Sequence, residues 1–486
     1  MQAVSDTRSR FLAALFALAL ATGLLSGIDP RLGLAMAMAV AFVTVVMADL
    51  SLGLCMYALL AFLNIVPDAG GSFISFDKIA GGLLALSWLA AVAARRDARR
   101  AFFTAHPQFS AVLLFFLAWV ALSMAWSPEF GAAAQHVARY VLSAFLFLIV
   151  FTAVRTRQHV RWLLGAFVLA STLSGAYGLI SPPPPGEEDR LAGTIGEPNQ
   201  LAAVLVAGVV IALALGVTEK GKPLLRAFYF TASGLCLITT FLTLSRAGII
   251  ALVLAMVAAV IFGGRWRPHA ALVAGLVFFS LVGFFAFVAT PHQRDRVTQV
   301  GEGSTTGRSD IWTIGWRMVE AHPVRGVGVG QFESSSVHYL IAPGTIRRSD
   351  LIVDQPKVAH NIYLHILAEM GIVGLVPFLL ILGFSLRCAL LAGREFARRG
   401  DTSMDLVARS VFVGLIGILA ADFFASEQFS KQLWLLLGIG PALLAMAQRS
   451  DEAEQRPDLG GQPAPAEPLA PQRLEPHPHP ALPVGT

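Results

Sequence analysis

Arg190, Arg246 and His360 are the side chains of this sequence best placed to do chemistry. Arg246 stands in Leu244-Ser245-Arg246-Ala247-Gly248, between two apolar runs with almost no loop around it. An ionisable group that close to apolar sequence is expensive; it marks a function unless it anchors at an interface. Arg190 follows a proline-rich acidic stretch, where Glu187, Glu188 and Asp189 offer it an ordinary ion-pair role. His360 opens the run His360-Asn361-Ile362-Tyr363-Leu364, a place where histidine also serves as a cap or an interfacial residue. Singly, each has a structural explanation. Together, two guanidiniums suit phosphate oxygens, which arginine grips in bidentate fashion. An imidazole takes a proton from a hydroxyl near neutral pH. The combination points to group transfer from a phosphorylated lipid to an alcohol.

The elements that must position these residues are membrane helices. The chain is 486 residues long, 56% hydrophobic and only 14% charged, against about 25% charged residues in a soluble domain. The fold class expected is all-α and polytopic, with 12–14 transmembrane helices and one long extracytoplasmic loop containing short helices. The net charge of +5 lies in loop Arg and Lys that serve topology, so nucleic-acid binding is not implied. Cys55, Cys236 and Cys388 lie in or beside apolar runs with no zinc spacing and read as small buried residues. The apolar run from Phe11 lacks a small-residue cleavage site and reads as a first span, not a cleaved signal. No fixed-period repeat is visible.

Basic residues set the orientation. With the N-terminus in the cytoplasm, the inner loops collect Arg95, Arg96, Arg99 and Arg100; Arg155, Arg157 and Arg161; Lys220, Lys222 and Arg226; Arg265 and Arg267; and Arg387, Arg394, Arg398, Arg399 and Arg409. The outer loops hold about one each (Arg31, Lys78, Arg139, Arg190, Arg246, Lys431). This topology, derived without the candidates, puts Arg190, Arg246 and His360 on one face. It also divides the chain into a transmembrane bundle at 1–290, an extracytoplasmic catalytic loop at 291–360, C-terminal transmembrane helices at 361–449 and a disordered cytoplasmic tail at 450–486. His477 and His479 alternate with proline in that tail and read as solvated.

Loops longer than about 15 residues are usually functional or disordered, and the insert from Pro291 to Ala359 carries too much pattern for a linker. Trp312, Trp316 and Val319 fall at helical spacing, which predicts a short amphipathic helix over Asp310 to Ala321, ended by Pro323. Its aromatic face would pack on the bundle, or dock on membrane or sugar. Gly326-Val327-Gly328-Val329-Gly330 lacks the spacing of a dinucleotide loop and reads as a turn. Asn199, in Gly196-Glu197-Pro198-Asn199, is expected to cap the helix that follows.

These pieces resemble the O-antigen ligase and polymerase superfamily. The resemblance runs from about Arg190 to Gly374: RLAGTIGEPNQLA at 190–202, SRAG at 245–248, GRSDIW at 307–312, HPVRGVGVGQF at 322–332 and HNIYLHILAEMGIVG at 360–374. It implies a metal-independent, inverting glycosyltransferase with no cofactor. Such an enzyme moves a glycan from an undecaprenyl-pyrophosphate carrier to an acceptor hydroxyl at the outer face of the cytoplasmic membrane. In a ligase the acceptor is the glycolipid lipid A–core; in a polymerase it is another lipid-linked glycan. By motif, His360 is the base, and Arg190 and Arg246 hold the pyrophosphate. Asn361 and Glu369 match the motif without a role, and Arg308 and Arg325 are further candidates for phosphate or glycan contacts. A third reading, a polysaccharide or lipid transporter, calls for charged or broken helices at the bilayer midplane. Here Asp422 and Glu427 sit at the outer end of a span instead.

Overall fold

The computed structural model describes residues 19–20, 22–62, 76–94, 101–183, 190–298, 307–340, 357–454 and 485. Among these, every regular element is helical. Residues 1–447 form one compact unit and 448–486 make up a second. Most of the predicted tail, at 455–484, lies outside the described residues, as do Glu187, Glu188 and Asp189.

Eight helices are long and apolar enough to cross a membrane, and Leu50–Leu60, Ala80–Ala90 and Arg246–Phe262 are shorter apolar helices. With these three, eleven apolar helices stand among the described residues, beside the 12–14 spans expected from a ruler of about 20 residues. The apolar run expected as a span after Ser245 is helical for 17 residues. The predicted first span, 11–28, falls largely outside the described residues.

Pro198–Thr218 is the axis of the bundle. Its apolar stretch is 83% buried, wrapped by the helices Arg157–Ile180, Pro223–Leu242, Arg246–Phe262 and Thr402–Ala421. Its sequence, rich in Ala, Val and Gly, explains this: small residues let neighbouring backbones approach where lipid offers no hydrophobic drive. Gly248 of the SRAG piece belongs to the same packing. A Cβ there would stand 2.5 Å from the Ala202 side chain.

Polar caps fix where the helices begin at one end of the bundle. Glu197 caps Pro198–Thr218 through the Gln200 amide at 2.5 Å. Ser245 caps Arg246–Phe262 through Gly248. Asn361 caps Ile362–Arg398 through Tyr363 and Leu364, both at 3.0 Å. Each cap satisfies amides that the first turn of a helix leaves open.

The helix Ile362–Arg398 is broken at Gly371, where φ is 65° and ψ is −170°. Non-helical backbone is tolerated at membrane depth only where protein covers it, and here the glycine-rich piece of the insert supplies the cover. Val327 and Gly328 donate their amides to the Ala368 and Glu369 carbonyls at 2.9 and 2.8 Å, and Ile372 donates to Pro323 at 2.9 Å. Gly326, Gly328 and Gly330 all have positive φ, and a Cβ at Gly326 would collide with the Glu369 carbonyl. The predicted turn is thus also a strap across the helix break.

The described parts of the predicted long loop include, besides that strap, the short helices Pro291–Thr298, Arg308–Ala321 and Phe332–Ser336. Ile311, Ile314 and Met318 are the buried face of the second, and Gly315 lets Leu364 come close. Trp312 is half-buried but Trp316 is 55% exposed, so the two tryptophans do not share one packed aromatic face. The i and i+4 spacing brings them near each other on the cylinder, but the apolar stripe runs through Ile314 and Met318 and leaves Trp316 at its edge.

Candidate active site

The two arginine motifs meet in one hydrogen-bonded knot. Arg190 is 7% exposed. Its Nε donates to the Thr243 carbonyl at 2.9 Å and a terminal nitrogen to Asn199 Oδ1 at 3.0 Å. The same Asn199 oxygen accepts from Ser245 Oγ at 2.8 Å, and Arg246 is the next residue, half-buried at the first turn of its helix. Asn199 Nδ2 donates to Glu197 at 2.6 Å. Asn199 therefore does not cap its helix, as the sequence suggested; Glu197 does, because Pro198 occupies the first helical position and the cap is the residue before it, two positions ahead of Asn199. Asn199 instead ties Arg190 to the segment that carries Arg246.

His360 sits just before its helix in a left-handed conformation, φ 47°, which is uncommon for a residue with a Cβ. Two groups hold it there: Asn361 caps the helix behind it, and Trp312 Nε1 donates to the Ala359 carbonyl at 2.9 Å in front. Its ring is half-buried. Burial, and then the charges of Arg308, Lys357 and His365, push its pKa down from 6.5 to about 4. The imidazole is therefore neutral at neutral pH and has a free lone pair to offer.

The segment 422–430 bridges the two halves. Phe423 and Phe424 pack on Trp312, with centroids at 5.8 and 6.3 Å. Tyr363 donates to the Leu419 carbonyl at 3.0 Å. Ser426 Oγ lies 3.2 Å from His365 Nδ1. Glu427 faces Glu197, and burial first, then the Glu197 charge, raises its pKa from 4.5 to about 8. A carboxyl held protonated at the arginine knot is a perturbed group of the kind that clusters at functional sites. The sequence reading noted Glu427 at the end of a span but gave it no part; only its partner across the fold makes it notable.

The remaining candidates scatter more. Arg308 begins the Arg308–Ala321 helix and acts on His360 through its charge. Glu369 is buried at 1% exposure. One carboxylate oxygen accepts from the Phe332 amide at 3.0 Å and lies 3.3 Å from His365 Nε2, so Glu369 joins the strap to the helix. Asn361 is a cap. Arg325 is exposed and lies over Trp126, 5.9 Å from the ring centroid; no contact joins it to the arginine knot. Among the described residues, no three His, Cys, Asp or Glu side chains gather as ligands for a metal ion.

Residues 231–379 match a family model described as O-antigen ligase. A protein of Pseudomonas aeruginosa named O-antigen ligase is 26% identical over 349 residues, which cover 70% of this chain and 78% of the relative. The matched family region holds the Arg246, Arg308, Arg325 and His360 motifs, and the longer pairing reaches well beyond it.

Proposed function

We propose that this chain, a multi-pass membrane protein of the O-antigen ligase superfamily, transfers a glycan from an undecaprenyl-pyrophosphate carrier to an acceptor hydroxyl at the outer face of the cytoplasmic membrane. The observation that carries this reading is the knot at one end of the bundle: Arg190 and the Arg246 segment joined through Asn199, bridged by 422–430 to a neutral His360. Many basic residues of the predicted inner loops lie at the other end, as an outward-facing site requires.

In the proposed reaction His360 accepts the proton of the acceptor hydroxyl. The hydroxyl oxygen forms the new bond to the anomeric carbon, and the bond from that carbon to the pyrophosphate oxygen breaks. Attack opposite the leaving group inverts the anomeric centre. Arg190 and Arg246 bind the pyrophosphate and stabilise the charge it gains as it leaves. They take the part that a divalent cation plays elsewhere, so the reaction proceeds without metal. A bound pyrophosphate also places negative charge near His360 and raises its basicity from the low value of the free protein. The arginines must be held firmly for this, and Asn199, Thr243 and the caps hold them.

The test is reconstitution of the full chain with a pyrophosphate-linked glycan donor and a lipid A–core acceptor, with and without chelator. Transfer is expected to persist in chelator and to be lost in His360→Ala and Arg246→Ala. Full activity in His360→Ala would remove the proposed base, and loss of activity in chelator would remove the metal-free mechanism. Deleting the gene distinguishes the ligase from a repeat-unit polymerase of the same superfamily. A ligase mutant accumulates full-length glycan on the carrier, whereas a polymerase mutant accumulates single repeats.

A further inference from the structure

Three side chains line up behind one hydroxyl that the reaction above does not use. Ser426 Oγ lies 3.2 Å from His365 Nδ1, and His365 Nε2 lies 3.3 Å from a carboxylate oxygen of Glu369. His365 and Glu369 are buried, while Ser426 at the end of the row is partly exposed. The row is held from the side. Phe332 stacks on the His365 ring, with centroids at 5.3 Å and planes at 23°, and its amide donates to the same Glu369 oxygen at 3.0 Å. A buried ion pair adds little to a fold over apolar residues of the same size, but it can orient a hydroxyl. In the charged form that acts on His360, His365 points Nε2–H at Glu369 and Nδ1–H at Ser426 Oγ. The serine's own hydrogen is then turned away from His365. An O–H whose oxygen already accepts from a cation is a strengthened donor.

A chain of contacts sets this hydroxyl between the two parts of the site. On one side, His365 belongs to the helix that His360 precedes, and its charge reaches His360. On the other, Glu427 follows Ser426 directly and faces Glu197. Glu197 accepts from Asn199 at 2.6 Å, and Asn199 accepts from Arg190 at 3.0 Å. In the displacement, the base, the attacking oxygen, the anomeric carbon and the leaving oxygen stand in that order, with the phosphates on the arginines beyond. A group between base and arginines meets the middle of that row, where the bond to the leaving oxygen breaks. That oxygen gains charge as it leaves, and a donor fixed there beforehand stabilises the transition state more than the ground state. We infer that Ser426 is a further catalytic residue, which donates a hydrogen bond to the oxygen between the anomeric carbon and phosphorus, and that His365 and Glu369 position its hydroxyl. Ser426 forms no covalent bond and keeps its proton; the acceptor's proton still goes to His360. The inference rests on the transfer reaction proposed above.

The test compares turnover of the reconstituted full chain on two donors. One is the pyrophosphate-linked glycan, and the other carries sulfur in place of the oxygen between the anomeric carbon and phosphorus. Sulfur is a weak hydrogen-bond acceptor. On the oxygen donor, Ser426→Ala is expected to lower kcat about 100-fold, the scale for loss of one such donor, with donor KM unchanged. Ser426→Thr keeps the hydroxyl and is expected to recover most of the loss. On the sulfur donor, Ser426→Ala and the parent are expected to turn over alike. Glu369→Gln keeps the shape of the side chain and removes its charge; a smaller loss is expected, again confined to the oxygen donor. Ser426 is partly exposed, so Ser426→Ala should unfold at the parent's temperature. The inference is overturned if Ser426→Ala matches the parent on the oxygen donor, if its loss is equal on both donors, or if Ser426→Thr recovers nothing. An equal loss on both donors in Glu369→Gln removes the positioning part and leaves that residue structural. A parent that transfers no glycan from the oxygen donor removes the reaction itself, and the inference with it; in every other case the reaction stands whatever Ser426 does.

Discussion

The two ends of the bundle use charge in opposite ways. At the end away from the site, opposite charges are matched and hold helices together. Arg157 meets Asp401 at 2.9 Å, Arg161 meets Glu219 at 3.0 Å and also Ser403, and Arg409 meets Asp405 at 2.5 Å, where Trp266 adds a bond at 3.1 Å. At the site end like charges are gathered. His360 faces Arg308, Lys357 and His365, and Glu427 faces Glu197. Matched charges stabilise a fold; gathered ones cost stability, and are kept where they tune a reactive group. Removing a charge should therefore damage activity at one end and folding at the other.

The largest effects are expected from crossing that comparison directly. His360→Ala and Arg246→Ala should lower turnover by about 10²–10⁴-fold, the range for loss of a general base or a charge stabiliser, while the melting temperature moves little. Arg409→Ala should do the reverse. It leaves Asp405, which is fully buried, with an unpaired charge, at a loss of about 3–5 kcal/mol. The melting temperature falls sharply, and turnover per folded molecule is unchanged. Paired measurements of turnover and thermal unfolding decide the matter. If Arg409→Ala loses turnover at full stability, the division between the ends is wrong.

A smaller effect follows from Glu427. Its folded pKa, about 8, is above its ordinary value of 4.5, so between those values the folded protein keeps a proton that the unfolded chain has released. Stability is then fullest below about pH 4.5, falls as pH rises, and has lost this contribution above about pH 8. Melting curves of the parent should shift down by several degrees across that window, and Glu427→Gln should flatten the shift. His360 gives the opposite sign in turnover: the proposed base is neutral above about pH 4 in the free protein, so kcat/KM should fall only as the pH approaches that value. A curve for Glu427→Gln that still tracks the parent's would assign the pH dependence to another group.

Much of this arrangement is legible before the structure. The charge bias between loops and the motif order bring Arg190, Arg246 and His360 to one face, because topology in a membrane is set by loop composition and spans by apolar length. Side-chain partners are not legible in the same way. Asn199 looks like a cap on local rules, yet Pro198 hands the cap to Glu197 and leaves Asn199 to bridge Arg190 and Ser245. The glycines at 326, 328 and 330 look like a turn, yet their purpose is set by a break at Gly371 that is distant in sequence. Glu427 is ordinary until the fold brings it to Glu197. In each case the deciding contact is long-range, and local periodicity carries no information about it.

The smallest of these effects tests whether the site end depends on exact placement as well as on charge. Trp312 acts on the backbone just before His360: its indole nitrogen donates to the Ala359 carbonyl at 2.9 Å, and its ring rests on Phe423 and Phe424. Trp312→Phe keeps an aromatic ring and loses the hydrogen bond, worth about 1 kcal/mol, or about fivefold in an equilibrium. His360 holds a left-handed φ of 47° that needs its neighbours to impose it, so freeing Ala359 lets the imidazole leave its working position for part of the time. Turnover should fall by about that factor, with donor KM unchanged because the arginine knot is untouched. The acid limb of the pH profile should move up toward the ordinary histidine range as the ring gains water. A merely structural tryptophan would lower the melting temperature and leave that limb where it was. An unmoved limb with unchanged turnover would mean that Asn361 and the helix start position His360 without help from the insert.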